Sequence, residues 1–248
     1  MLEPALRAAN LAKSFGGLVA VDRVSLDLQP SEVHAVIGPN GAGKTTLLAM
    51  LAGDLAPTSG RVLLQQDDIT HQSVEARTRL GIGRTFQRSA VIPRFRALDM
   101  VRLAALPQGG LKLLSSMAAN KVATERARAA LERVGLANRA DVVADMLSHG
   151  EKRRLEIAAV LALAPKILLL DEPLAGLGAD ESRDVVALVQ SLKADCAIML
   201  IEHDIDVVFA LADRITVLDN GRVIACGTPA EVRASEAVQQ AYLGLESA

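Results

Sequence analysis

The sequence predicts an α/β fold built on a mostly parallel sheet with helical crossovers, and three observations carry that reading. A strand-like run, "EVHAVIG" (Glu32–Gly38), passes into a glycine-rich loop and then into the helical pattern "TTLLAMLAG". A second apolar run, "KILLLDEP" (Lys166–Pro173), lacks polar alternation, as expected of a strand covered on both faces. Between them, around Phe95, the chain turns rich in Ala, Leu and Arg at helical spacing, as in "ATERARAALERVGL" (Ala123–Leu136). Residues 90–163 are therefore expected to form a mostly helical insert, its charges a solvated helix face. Residues 1–89 and 164–248 are expected to form the α/β core around it, all within one domain.

The remaining elements follow in order. "LVAVDRVSLDLQP" (Leu18–Pro30) reads as a strand, and the helix that begins near Thr45 stops at Gly53, a residue suited to a C-cap. "PTSGRVLLQQDDI" returns to turn and strand. After "KILLLDEP" come a helix ("ESRDVVALVQSLK"), a strand ("CAIMLIEH") and a further helix. "RITVLDNGRVIACG" (Arg214–Gly227) reads as a hairpin turning at Asn220–Gly221.

Composition narrows the function classes. Half of the 248 residues are hydrophobic but aromatics make up only 2%, with no Trp, so aliphatic side chains must fill the core. With 27 basic and 29 acidic residues the net charge is −2, which argues against a nucleic-acid partner. Cys196 and Cys226 lack metal-ligand spacing and are expected to be small buried residues in a reducing compartment. The start, "MLEPALRAANLAKSF", lacks the marks of a signal peptide, and no apolar run approaches the roughly 20 residues of a membrane span. A cytoplasmic chain is expected, with any membrane role exerted through a partner.

"GPNGAGKTT" (Gly38–Thr46) fits G-x-x-x-x-G-K-[ST] and lies between a predicted strand and a predicted helix, the context this motif requires. Gly38, Gly41 and Gly43 let the backbone N–H groups of the loop, with Asn40 and Ala42, turn inward on an anion. The helix N-terminus adds its dipole. Lys44 can reach β- and γ-phosphates, the Thr45 hydroxyl can ligate Mg²⁺, and Thr46 follows. These residues predict binding of a nucleoside triphosphate. At the end of "ILLLDEP", Asp171 and Glu172 are adjacent carboxylates that strand alternation would point to opposite sides. One can orient Mg²⁺, and the other can polarise an attacking water for in-line γ-phosphoryl transfer. Taken alone, Gln87 reads as a loop residue, His203 as a strand-end histidine and Phe15 as a core aromatic.

"LSHGEKRRLEIA" (Leu147–Ala158) opens a helix with Ser148 and Glu151 at capping-box spacing. Lys152, Arg153 and Arg154 crowd its first turn, where the dipole disfavours cations. Dipole, hydroxyl and basic turn together favour negative charge at one place.

The ordered set "GPNGAGKTT", Gln87, "LSHGE", "ILLLDEP" and His203 resembles the nucleotide-binding subunit of ATP-binding cassette (ABC) transporters, over nearly the whole chain. The resemblance implies a P-loop NTPase core with an antiparallel β subdomain and an inserted helical subdomain ending in the signature helix. It implies ATP with Mg²⁺, and a second ATPase subunit, either a copy or a paralogue, closing head to tail. It also implies two integral-membrane permease subunits, indirectly a periplasmic or extracellular substrate-binding protein, and a place on the inner face of the membrane. Phe15 falls where the family stacks an aromatic on adenine, with Val21 beside it. Gln87 matches the glutamine that touches Mg²⁺ or water, Asp171 the metal-supporting aspartate, Glu172 the catalytic glutamate and His203 the γ-phosphate histidine. Ser148 and Gly150 match signature residues that bind the γ-phosphate of the opposite subunit's ATP. His149 and Glu151 depart from the usual signature, and Gly178 stands where an interface aspartate is common. Glu151 is expected to face the ribose or a neighbouring base such as Lys152. "RTFQ", "RRLEIA", "LIEHD" and "AYLG" further resemble ATPases of branched-chain amino-acid importers. Urea or amide importers and lipopolysaccharide exporters share much of that pattern.

Overall fold

The computed structural model describes residues 3–85, 91–106 and 121–243. Its elements, in chain order, are β1 (Leu6–Phe15), β2 (Leu18–Leu28), β3 (Val33–Ile37), α1 (Lys44–Ala52), β4 (Ser59–Leu64), β5 (Asp67–Asp68), α2 (Val74–Arg79) and β6 (Ile82–Arg84). They continue with α3 (Ala97–Ala104), α4 (Lys121–Arg133), α5 (His149–Leu161), β7 (Ile167–Asp171), α6 (Ala179–Leu192), β8 (Ala197–Ile201) and α7 (Ile205–Leu211). The chain ends with β9 (Arg214–Asp219), β10 (Arg222–Gly227), α8 (Pro229–Arg233) and α9 (Glu236–Leu243). Two compact units result. One comprises residues 1–82, 166–172 and 190–248, and the other 83–165 and 173–189.

Two sheets form among the described residues, all within the first unit except Gly83 and Arg84 of β6. An antiparallel sheet runs β2-β1-β4-β5, and a six-stranded sheet runs β10-β9-β3-β8-β7-β6. In the latter β3 pairs parallel with both β8 and β9, and β7 parallel with β8. The β9–β10 pair is antiparallel and turns at Asn220 and Gly221, both with positive φ as a type I′ turn requires. β3, β7 and β8 are buried at every position, as their unbroken apolar runs predict.

α1 fills the space between the sheets. Leu47, Leu48, Met50 and Leu51 are all buried, so the helix is apolar around its circumference and not amphipathic. They join Leu6, Leu11 and Leu28 of the antiparallel sheet and Leu169, Met199 and Ile201 of the parallel one in a single cluster. Ala35 and Ile37, on the opposite face of β3, pack with Val208, Ile215 and Val217. Among the described residues these cores are aliphatic, as the scarcity of aromatics requires.

Two buried polar residues hold this arrangement and were not singled out from the sequence. Arg77 of α2 is 1% exposed; its Nη1 donates to the carbonyls of Met50 and Leu51 at 2.7 Å each, and its Nη2 to Thr70 O at 2.9 Å. A cation is thus set at the C-terminal end of α1, where the dipole favours it. His34, fully buried in β3, has Nδ1 3.2 Å from Asp27 O and Nε2 2.8 Å from Thr216 Oγ1. A carbonyl only accepts, so Nδ1 carries a proton, and burial keeps the ring neutral near pH 7. Cys196 is buried as expected, but Cys226 is exposed. It lies on β10, the edge strand of its sheet, with Sγ 3.3 Å from Thr216 Oγ1.

Burial pushes the His34 imidazole down to about 4 from its ordinary 6.5. Between those values the unfolded chain binds a proton that the native protein refuses. Stability therefore rises with pH across this window, and the loss builds as pH falls from 6.5 towards 4. At pH 5 His34 alone should remove about 2 kcal/mol relative to pH 7. Urea midpoints should show that drop shrinking in the His34→Gln variant. An equal drop in both proteins would mean that His34 does not titrate as its burial requires.

Candidate functional site

The loop Gly38–Gly43 is shaped by the backbones beside it. Gly43 has φ 97°, and a Cβ there would stand 2.3 Å from Ala20 O at the end region of β2, with Val21 Cγ2 at 3.2 Å. A Cβ on Gly38 would stand 2.0 Å from Leu218 O of β9. Gly221 N donates to Ala42 O at 3.1 Å, and Asp22 N donates to Gly221 O at 2.8 Å, so β2 and the β9–β10 turn lock the loop from outside. Val21 is wholly buried beneath the loop, whereas Phe15 is half exposed at the tip of the β1–β2 hairpin. The Lys13 ammonium lies 5.3 Å from the Phe15 ring centroid, a cation–π contact.

α1 begins at Gly43 without a side-chain cap, and no acidic residue sits in its first turn. Its first N–H groups and dipole therefore have no capping side chain from the helix's own first turn. Lys44 is buried, and its Nζ donates to Gly38 O at 2.7 Å and Pro39 O at 3.0 Å. Burial lowers its pKa, and the carboxylates of Glu172 and Asp171 oppose that shift. Asn40, Gly41 and Thr45 are exposed, and Thr46 is half-buried.

Asp171 closes β7 fully buried, in register with Ile201 of β8. Glu172 lies beyond the strand end with φ 49°, its N–H donating to Ile201 O at 2.9 Å. The two carboxylates do differ in surroundings, but the cause is this left-handed residue and not strand alternation. A non-glycine residue held in that region costs on the order of 1–3 kcal/mol, and such strain concentrates at functional sites. Glu172 Oε1 is 2.6 Å from His203 Nε2, the ring standing just past the end of β8. The structure thus brings together Gly38–Thr46, Asp171, Glu172 and His203 in the first unit. Gln87 lies outside the described residues.

In the helical unit, α5 starts as expected. Ser148 caps it, its Oγ accepting from Glu151 N at 3.2 Å, while Glu151 Oε2 accepts from Ser148 N at 2.9 Å. Glu151 Oε1 accepts from Arg139 Nε at 2.8 Å, so its basic neighbour is Arg139 and not Lys152. The Ser148 N–H first, then Arg139, hold the Glu151 carboxyl below the ordinary range. The three cations of the first turns do not converge on one anion. Lys152 faces Asp145 at 3.9 Å, and Arg153 is buried on Pro173 O and Glu156, both at 3.0 Å. Arg154 faces Asp184 at 3.9 Å and Val134 O at 3.4 Å. Their stems are long enough to leave the helix end for partners that only the tertiary fold supplies. His149 lies over Gly176 and, with Lys152, Arg153, Glu156 and Pro93, lines a cavity of about 400 Å³.

A phosphate loop opening an uncapped buried helix, with a strand-end carboxylate pair and a histidine, defines a P-loop NTPase site. Residues 21–175 match the ABC transporter family model, and residues 222–247 match that of the branched-chain amino acid ATP-binding cassette transporter. The chain belongs to the ABC transporter family and is an ABC ATPase. It is 39% identical to LivG of Escherichia coli K12, a high-affinity branched-chain amino acid transport ATP-binding protein, covering 98% of this chain and 99% of that one. BraF of Pseudomonas aeruginosa, with the same description, is 36% identical over the same shares. The solved ADP conformation of an ATP-binding cassette of an ABC transporter superposes with TM-score 0.87 at 31% identity, covering 97% of this chain and 99% of that one. A dimeric bacterial ABC cassette superposes with TM-score 0.77 at 25% identity, covering 90% and 98%.

Gly43→Ala should weaken ADP binding at least about tenfold, because its Cβ would force Ala20 or the loop to move. Titration calorimetry checks this, and wild-type affinity would show that the loop is not held as described.

Proposed function

We propose that this chain is the ATP-hydrolysing subunit of an importer for branched-chain or other hydrophobic amino acids. The cargo class rests on the C-terminal match over residues 222–247 and on the full-length likeness to LivG and BraF. Hydrolysis rests on one observation above all, the Glu172–His203 contact of 2.6 Å in the unit that carries the phosphate loop.

Phosphates of ATP are received by the inward N–H groups of Gly41–Thr46 and by Lys44, whose ammonium exchanges the loop carbonyls for phosphate oxygens. Phe15 offers the exposed ring face for adenine, with Val21 packed below the loop. Among the described residues no cluster of three His, Cys, Asp or Glu side chains could hold a metal. The donors near the loop are hard oxygens, the exposed Thr45 hydroxyl and the buried Asp171 carboxylate, which fits Mg²⁺. Thr45 and Asp171, with Gln87, would hold it, and it would neutralise charge on the β- and γ-phosphates. Glu172 orients the attacking water and accepts its proton, and His203 fixes the Glu172 carboxylate and faces the γ-phosphate.

Ser148 and Gly150 complete the site on a second subunit, either a copy of this chain or a paralogue, in a head-to-tail dimer. Closure is transmitted to two permease subunits at the inner face of the membrane, and these act with an extracytoplasmic binding protein. We assign their contact to the helical unit, near the His149 cavity. The ATPase itself never touches the amino acid.

Glu172→Gln should bind ATP normally, lose turnover by about a hundredfold or more, and accumulate an ATP-bound dimer. Multiple-turnover phosphate release at the wild-type rate would overturn the role of Glu172. Deleting the gene should abolish uptake of labelled leucine and spare labelled urea; the reverse pattern would overturn the cargo class.

A further inference from the structure

The α5 end that carries Ser148 and Gly150 is already engaged by a carboxylate of the same chain. Glu181, in the first turn of α6, accepts at Oε1 from Ser148 Oγ and from Gly150 N, both at 3.0 Å. Its side chain lies directly on the helix start: a Cβ on Gly150 would stand 2.7 Å from Glu181 Cδ and Oε1. The Gly150 N–H and the Ser148 hydroxyl, aided by Gly178 N–H and the nearby His149, hold this carboxyl below the ordinary range. Glu181 is therefore ionised at neutral pH, and the contact is between an anion and the helix end. Glu151 does not compete for these two donors, since it binds Ser148 N and Arg139.

We propose that Glu181 is an internal competitor for the signature seat, its carboxylate holding the two donors that the partner subunit's ATP must take to close the dimer. This rests on the reading of Ser148 and Gly150 given above. Each donor has a single proton, and a γ-phosphate cannot share it with a carboxylate oxygen that already lies at hydrogen-bond distance; two anions there also repel. Closure thus requires Glu181 to swing away. After hydrolysis the same carboxylate returns to the donors as phosphate leaves, which favours reopening. Glu181 is a positioning residue: it sets the ATP threshold for closure without touching the nucleotide held by its own subunit.

The test uses the full chain in the Glu172→Gln background, with ATP-dependent dimerisation followed by light scattering. Adding Glu181→Ala should lower the ATP concentration at half-dimerisation by about tenfold, the scale of one charge-assisted hydrogen bond. Adding Glu181→Gln, which keeps the shape and an acceptor oxygen without the charge, should shift it in the same direction but less. ADP affinity of the monomer should be unchanged in both, and thermal melts establish that both fold. An unchanged or raised ATP midpoint in folded Glu181→Gln overturns the proposal, because a merely structural Glu181 would weaken closure when removed. If Glu172→Gln alone forms no ATP-dependent dimer, or Ser148→Ala forms one as readily, the reading of the seat itself is overturned. That result is distinct from a dimer that forms but ignores Glu181.

Discussion

The structure is organised around one helix whose two ends have opposite electrostatic demands. α1 lies between the two sheets, its side chains buried among both, so it cannot turn or slide without opening the core. At its C-terminus Arg77 gathers the Met50 and Leu51 carbonyls, with Thr70 O, on one guanidinium. At its N-terminus no side chain caps the helix, its first turn holds no acidic residue, and the backbones of β2 and β9 hold the glycine loop against movement. A rigid uncapped helix end is an anion site by construction, because its N–H groups already point at the place the phosphate takes.

α5 solves the same problem differently. Its start is capped twice, by its own Ser148–Glu151 box and by Glu181 from α6. α1 has no acidic residue in its first turn, whereas the start of α5 is held by a carboxylate from another helix. The two helix ends proposed to share one ATP molecule, on opposite subunits, therefore differ in what binding must remove. An uncapped end suits lasting nucleotide binding, and an end with a resident carboxylate suits a contact made and broken.

Glu172 is the point where local strain, geometry and chemistry coincide. Its left-handed backbone follows directly on β7, and its N–H bond to Ile201 ties it to β8, the strand that leads to His203. The β7–β8 register thereby sets the carboxylate–imidazole distance. The order of strands in the sheet, and not proximity in sequence, makes residues 31 positions apart neighbours.

The sequence by itself determined the buried parallel strands, the phosphate loop, the C-cap at Gly53, the turn at Asn220–Gly221 and the capping box at Ser148. Each depends on apolar period, on glycine at a positive φ, or on contacts within four residues, all of which are local. The tertiary structure decided what depends on distant partners. His34 and Arg77 read as ordinary polar residues until the fold buries them, Cys226 reads as buried until it falls on an edge strand, and Glu151 takes Arg139 in place of Lys152. The cations after Gly150 point to a shared anion only while their partners are unknown, because long side chains follow whichever carboxylates and carbonyls the fold brings near. Glu181 was invisible for the same reason: nothing around residue 181 announces that its carboxylate will lie on a helix start some 30 residues earlier, and only the tertiary fold brings the first turn of α6 beside the start of α5.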